Sequence, residues 1–425
     1  MDKKYRVSEL IEQGVLVIGD GYRAKNSELA QKGIPFARAG NVNNGEFLFD
    51  RADYFPLENL HKVGEKVSQV GDVVFTSKGT VGRFAYVTER VPKFVYSPQL
   101  CFWRSKNQDV LQSRFLYYWM QGKEFLQQMN AVKGQTDMAD YVSLSDQRKM
   151  YITVPSVKKQ EAISFILGSL DDKIELNRRM NETLEQMAMA LYKHWFVDFG
   201  PFQDGEFEET ESGPIPKGWK MTKLSALVNT QYGYTASASA ERVGPRFLRG
   251  TDINKTTHID WTAVPYCKIA PEDYEKYRLL PGDVVVIRMA DPGKPAIMEQ
   301  EVDAVFASYL VRLKIKEGSG LTPYYLFYFL LSDRYQNYIS GASNGTTRKN
   351  ANAKVLTDID IIVPDADVVR LFEEKVGLLR QMITRNIQET NALKDLRDYL
   401  FPRLLSGEIE VREAEEQVEE VLANA

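Results

Sequence analysis

The chain has 425 residues, of which 44% are hydrophobic, 11% aromatic and 26% charged, with a formal net charge of −4. At roughly 150 residues per domain this is a globular chain of two or three domains, and disordered, collagen-like and disulfide-knot classes are excluded. Cys101 and Cys267 stand far apart and outside any C-x-x-C pattern, no run approaches ~18 apolar residues, and the opening segment lacks an apolar core. A cytoplasmic protein without a structural zinc, membrane span or secretory signal is expected.

The small total charge hides an alternation: residues 1–152 carry +4, 153–212 carry −6, 213–362 carry +4 and 363–425 carry −6. In chain order, residues 1–152 form a first mixed domain. Its β-like runs are Gly71–Val87, Leu100–Trp103 and Ile152–Val154, interrupted by a helix over about Ser113–Gln128. Residues 153–199 form a long helix with a heptad seam: Ile163, Leu167, Leu170, Ile174, Asn177, Asn181, Leu184, Ala188, Leu191 and Trp195. Residues 200–212 are a linker within the Gly/Pro/acidic stretch Asp198–Lys217. Residues 213–362 form a second mixed domain, with strands Asp283–Arg288, Val305–Ile315 and Ile359–Val363 and a helix over Pro323–Ile339. Residues 363–410 form a second heptad helix, with Phe372, Val376, Leu379, Ile383, Asn386, Thr390, Leu393, Arg397, Leu400 and Leu404 on its seam. Residues 411–425, with five glutamates, are expected to be a solvated acidic tail.

The two halves repeat. Gly71-Asp72-Val73-Val74 returns as Gly282-Asp283-Val284-Val285, Phe115-Leu116-Tyr117-Tyr118 as Tyr325-Leu326-Phe327-Tyr328, and Val154-Pro155 as Val363-Pro364, at offsets of 211, 210 and 209. The seams repeat too, and their polar breaks coincide at Asn177 with Asn386 and at Asn181 with Thr390, so the seams are expected to pair. Each helix is about 37 residues, or about 55 Å, long. Connectivity requires the second to run back along the first. The expected fold is therefore α+β: two repeated mixed α/β globular domains separated by two long helices in an antiparallel coiled coil, arranged circularly about a pseudo-two-fold.

Catalytic patterns are missing. The chain has no P-loop, G-x-G-x-x-G or G-x-S-x-G, and no Asn/Asp-Pro-Pro-aromatic run of the amino-methyltransferase kind. His61, His194 and His258 are too scattered for a metal site, and His194 reads as a packing or surface residue. Pro364-Asp365 followed by Glu373-Glu374-Lys375 mimics a nuclease signature, but it falls on the first turns of a heptad helix, where acidic residues suit the macrodipole. No catalytic residue and no metal ligand is assigned.

Loops rich in glycine, hydroxyls, amides and cations recur at matched places and suit duplex DNA, where Arg and Lys read guanine, Asn and Gln read adenine, and glycine admits phosphate. The candidates in the first half are Tyr22, Arg23, Lys25, Asn26, Arg38, Asn41, Ser77, Lys78, Thr80, Arg83, Gln135 and Thr136. Those in the second half are Tyr232, Tyr234, Thr235, Arg246, Arg249, Thr251, Arg288, Lys294, Thr346, Thr347, Arg348 and Lys349. Because the halves differ, a bipartite, asymmetric target with an unread spacer is expected.

Leu191-Tyr192-Lys193-His194-Trp195-Phe196-Val197-Asp198-Phe199, Gly213-Pro214-Ile215-Pro216-Lys217-Gly218-Trp219 and Leu400-Phe401-Pro402-Arg403-Leu404-Leu405-Ser406-Gly407-Glu408-Ile409 resemble the specificity (S) subunit of type I restriction-modification systems. The opening Ile18–Asn26 is also similar to some members, although the first half lacks an Ile-Pro-x-Gly-Trp lead. The resemblance covers nearly the whole chain. It implies a non-catalytic subunit whose mixed domains are target-recognition domains and whose helices dock two methyltransferase (M) subunits. S-adenosylmethionine, ATP and Mg would then reside on partner subunits, including the restriction (R) subunits, and the complex would methylate adenine N6. The alternatives are a coiled-coil adaptor with protein-binding heads and a stand-alone DNA-modifying enzyme with unrecognised motifs.

Overall fold

The computed structural model describes residues 2–43, 45–50, 52–134, 140–210, 213–342 and 350–424. The first copy of the module runs β1 (Lys3–Arg6), α1 (Val7–Glu12), β2 (Leu16–Asp20), β3 (Ile34–Ala37), β4 (Asp53–Phe55), β5 (Val73–Thr76), β6 (Phe84–Tyr86), β7 (Val95–Tyr96), β8 (Leu100–Ser105), α2 (Ser113–Gln121), α3 (Lys123–Val132), α4 (Leu144–Lys149) and β9 (Tyr151–Val154), then enters α5 (Val157–Phe196). A hairpin of β10 (Phe207–Thr210) and β11 (Gly213–Pro216) occupies the segment read as a linker. The second copy follows as β12 (Lys220–Lys223), α6 (Leu224–Leu227), β13 (Val228–Tyr232), β14 (Arg246–Leu248), α7 (Gly250–Ile253), α8 (Pro271–Tyr277), β15 (Val284–Ile287), β16 (Pro295–Ile297), β17 (Ala304–Phe306), β18 (Leu310–Ile315), α9 (Pro323–Leu331), α10 (Asp333–Ala342), α11 (Ala353–Thr357) and β19 (Asp360–Val363). The chain ends with α12 (Ala366–Ser406) and α13 (Val411–Asn424).

The copies share one topology. Each holds a four-stranded antiparallel sheet, ordered β2-β8-β5-β6 in the first and β13-β18-β15-β16 in the second. The apolar runs Val73–Phe75 and Val284–Val286 supply strands buried on both faces. In each copy the opening strand pairs antiparallel with the closing one, β1 with β9 and β12 with β19. The first half thus has its opening strand without the Ile-Pro-x-Gly-Trp lead. Each helix expected between strands is two helices, because the backbone turns extended for one residue at Gly122 and Ser332. The run Val305–Ile315 is likewise divided, with Leu310 N–H bonded back to the Ala307 carbonyl.

The chain forms two compact units, residues 1–175 with 389–425 and residues 176–388, so each long helix contributes to both. All twenty seam positions are buried or half-buried, as heptad spacing requires. In the first unit Ile163, Leu167 and Leu170 share a core with Leu393, Leu400 and Leu404. Asp171 pairs with Arg397 at 3.1 Å and Lys173 with Glu389 at 3.1 Å. In the second unit the Asn177 amide donates to the Asn386 carbonyl at 3.5 Å, the Asn386 amide to Asn181 at 2.8 Å, and Arg380 pairs with Glu185. Partner numbers fall as α5 advances, so the helices are antiparallel in both units.

The segment expected as a solvated tail is instead helix α13. Ala414 and Val418 are buried and join the first unit's core, with Val411 and Val421 packed beside them. Steps of three and four put these residues on one face and leave the glutamates to the other.

A buried charge organises each sheet. Arg104, 3% exposed at its side chain, donates to both oxygens of the fully buried Asp72, and Tyr96 donates to the same carboxylate at 2.6 Å. Burial and the Asp72 charge push the Tyr96 phenol far up. In the second copy Asp283 receives Arg312 at 2.9 Å. The aspartate of each Gly-Asp-Val-Val repeat is thus the partner of a central-strand arginine. Removing one member of a buried pair strands the other, so Asp72→Ala is expected to cost about 3–5 kcal/mol. Glu65→Ala, which removes the exposed partner of Arg104, should cost about 1 kcal/mol or less. Urea unfolding of the two variants measures the difference.

Gly21 and Gly233 lie at the same place. A Cβ would stand 2.0 Å from the Ser97 carbonyl oxygen in the first copy and 2.3 Å from that of Ala307 in the second. The next residues, Tyr22 and Tyr234, donate their N–H to Tyr96 and Phe306, each at 2.7 Å. Gly79, at φ +83 with open space around it, requires only conformation. Gly79→Ala is therefore expected to cost about 1 kcal/mol, and Gly21→Ala distinctly more because backbone must move, as thermal unfolding of the two variants would show.

Candidate nucleic-acid interface

The loop after β5 and the loop after β15 have the same backbone frame. Ser77 N–H donates to the Gln99 carbonyl at 2.9 Å, and Arg288 N–H to that of Tyr309 at 2.9 Å. Val142 N–H bonds the Ser77 carbonyl, as Ala351 N–H bonds that of Arg288. Gly82 N–H closes on Thr76, as Gly293 N–H closes on Ile287. The left-handed positions also coincide: Gly79 and Gly82 at φ +83 and +97, Ala290 and Gly293 at +69 and +94. A non-glycine residue is uncommon there, so Ala290 is held by the frame around it.

On this common frame the side chains differ. Residues Ser77, Lys78, Thr80 and Arg83 of the first unit stand where the second has Arg288, Met289, Asp291 and Lys294. Lys78 and Thr80 are exposed, and the Lys78 ammonium lies 6.0 Å from the centre of the Tyr141 ring. Arg23, also exposed, is close enough to Tyr141 to act electrostatically on its phenol, which burial pushes up. In the second unit the Arg288 guanidinium lies 5.0 Å from the centre of the Tyr232 ring, while the Tyr232 hydroxyl accepts the Ala353 N–H. Arg83 and Lys294 are half-buried cations at equivalent positions.

Several other predicted residues are bonded to groups of their own unit. Asn41 is buried; its amide oxygen accepts the Arg38 N–H and its amide nitrogen donates to Leu48. Asp252 caps Arg249 N–H in the same way and also pairs with the Arg249 side chain at 2.8 Å. Arg38 pairs with Asp53 at 2.6 Å. Arg246 packs on Tyr266 at 4.2 Å and donates to the carbonyls of Val264 and Thr262. Ser77 is buried, with its hydroxyl 3.3 Å from the Gln99 carbonyl. Tyr22 packs edge-on against Phe55 and donates to Glu28, and Tyr234 packs on Tyr277. Lys25, Asn26, Thr235 and Thr251 are exposed. Gln135, Thr136, Thr346, Thr347, Arg348 and Lys349 lie outside the described residues.

Sequence reasoning missed Tyr141, Gln99 and Tyr309. Gln99 and Tyr309 sit one residue before β8 and β18 at the repeat offset of 210, so aligning the copies residue by residue would have exposed them. The nuclease-like residues are structural: Glu373 is half-buried and accepts the Tyr324 N–H at the start of α9, with burial raising its carboxyl, and Glu374 pairs with Arg370. Among the described residues no group of three or more His, Cys, Asp or Glu is placed to hold a metal, and no helix is long and apolar enough to cross a membrane.

The model of the type I restriction modification DNA specificity domain matches residues 3–186 and again 216–370. The chain is 23% identical to the type I restriction enzyme HindI specificity subunit of Haemophilus influenzae, over 89% of this chain and 95% of that protein. It is 24% identical to the MjaIX specificity subunit of Methanocaldococcus jannaschii, over 97% and 95%. Its fold is similar to the crystal structure of the S subunit of a type I restriction-modification system from M. genitalium, with a TM-score of 0.57 at 13% identity, covering 95% of this chain and 96% of that one. With two copies of the specificity domain on one repeated frame, the chain belongs to the type I restriction-modification DNA specificity family.

Proposed function

We propose that each unit reads one half of a two-part, asymmetric DNA target, and that the chain contributes recognition and scaffolding while partner subunits carry the chemistry. The observation that supports this most directly is the shared loop frame with unlike side chains. One backbone presents Lys78 and Thr80 in one unit and Arg288, Met289 and Asp291 in the other. Identical frames approach a duplex in the same way, and unlike side chains select different bases.

In this reading two methyltransferase subunits dock on the helical regions and modify adenine N6 with S-adenosylmethionine. Restriction subunits supply the ATP- and Mg-dependent cleavage. The chain itself performs no catalytic step, and its own contribution is register on the duplex. Half-buried Arg83 and Lys294, equivalent in the repeat, neutralise phosphate.

Mapping of methylated adenines made by the chain with its methyltransferase partner should give a split motif. Exchanging residues 213–362 for those of another family member should then alter one half only; a single continuous motif, or a change in both halves, contradicts the reading. In the same complex, Arg83→Ala and Lys294→Ala should each weaken DNA binding about equally on all sequences and lower the salt slope by about one. Titration by fluorescence anisotropy at several salt concentrations checks this, and binding without salt dependence would favour a protein-binding adaptor.

A further inference from the structure

Arg288 differs from the other described candidate arginines of the second unit: Arg249 is paired with Asp252, and Arg246 is spent on backbone carbonyls. The Arg288 guanidinium has no carboxylate partner among the described residues. Its Nη1 makes one long bond, 3.4 Å, to the Ser308 carbonyl, and its Nε is buried without a partner. It is positioned by other means: it lies over the Tyr232 ring, 5.0 Å from its centre, and its own N–H and carbonyl are fixed by Tyr309 and Ala351. Tyr232 and Tyr309, 43% and 55% exposed, open this place to solvent. The donors of this half-buried guanidinium that face solvent are hydrated and can exchange water for acceptors on a ligand. Stacking on a ring leaves its planar fork free for a bidentate acceptor pair.

The repeat distinguishes a base from a phosphate as that acceptor. Phosphates are the same in every sequence, so a phosphate position is expected to keep a cation in both units, as Arg83 and Lys294 do. The twin of Arg288 is Ser77, which is uncharged and buried. A site that gains or loses its cation while the frame stays fixed is suited to the part of DNA that varies. Among base edges, guanine offers O6 and N7 together to an arginine fork in the major groove.

We propose that Arg288, stacked on Tyr232, reads a guanine in the half-site of the second unit. This rests on the split-target reading above. The test uses the chain assembled with its methyltransferase partner, with genome-wide adenine-methylation mapping of wild type, Arg288→Gln and Arg288→Lys. Wild type should show a guanine in one half-motif. Arg288→Gln should lose preference for it by about 5- to 150-fold with a gain for adenine, and Arg288→Lys should lose less, because an ammonium keeps the charge without the planar fork, while the other half-motif keeps its stringency. An unchanged motif overturns the proposal. So does uniformly weaker methylation with the motif intact, which identifies a phosphate contact, and so does failure of both variants to fold, which identifies a packing residue. A wild-type complex with no split motif would instead remove the underlying reading.

Discussion

A carboxylate on α5 fastens the recognition module to the helices in each unit. In the first, Asp171 accepts the Tyr118 hydroxyl from α2 at 2.7 Å and pairs with Arg397 of α12. In the second, Glu185 accepts the Tyr328 hydroxyl from α9 at 3.2 Å and pairs with Arg380 of α12. Tyr118 and Tyr328 are equivalent in the repeat, whereas the carboxylates are fourteen residues apart along one helix. The same three-way joint is therefore built twice from positions that do not correspond. Fully buried Arg380 also binds Glu299 at 2.6 Å and the Thr257 carbonyl at 3.0 Å. Such charges contribute little net stability compared with apolar residues of equal volume. Their directional bonds set the angle at which the module meets the helices.

That joint gives the loop frame its meaning. A loop can sort sequences only if its backbone returns to one place, and here the frame is fixed by strand-to-loop hydrogen bonds rather than by the side chains it displays. The buried Asp72–Arg104 and Asp283–Arg312 pairs hold the sheet beneath it. The side chains displayed on the loop are thus separated from the interactions that keep the module folded.

Much of the architecture was legible because it is periodic. A heptad seam and a 210-residue offset are patterns that packing must obey, so the two long helices and the repeated module could be read directly, and connectivity gave the antiparallel sense within each unit; the breaks at Gly122, Ser332 and Ala307 depend on single backbone torsions and turns that carry no such pattern. The site was less legible for a chemical reason. The residue types that read bases also cap turns and close ion pairs. Asn41 and Arg249 have the composition of DNA contacts, yet Asn41 caps a turn and Arg249 pairs with Asp252, the residue that caps its own turn. Composition misled in the opposite direction at α13, where glutamate count concealed a valine-alanine stripe. Tyr141 was missed because a lone exposed tyrosine carries no signal until the fold sets it beside a loop.

Ala290 shows how narrow the route to a new variant is. Positions 79 and 82, like 290 and 293, must accept left-handed backbone, so they disfavour β-branched side chains. Positions 288, 289 and 291 carry no such steric demand. The backbone of this loop therefore restricts which positions can exchange side chains freely, and the two copies in this chain differ at those positions while keeping one frame.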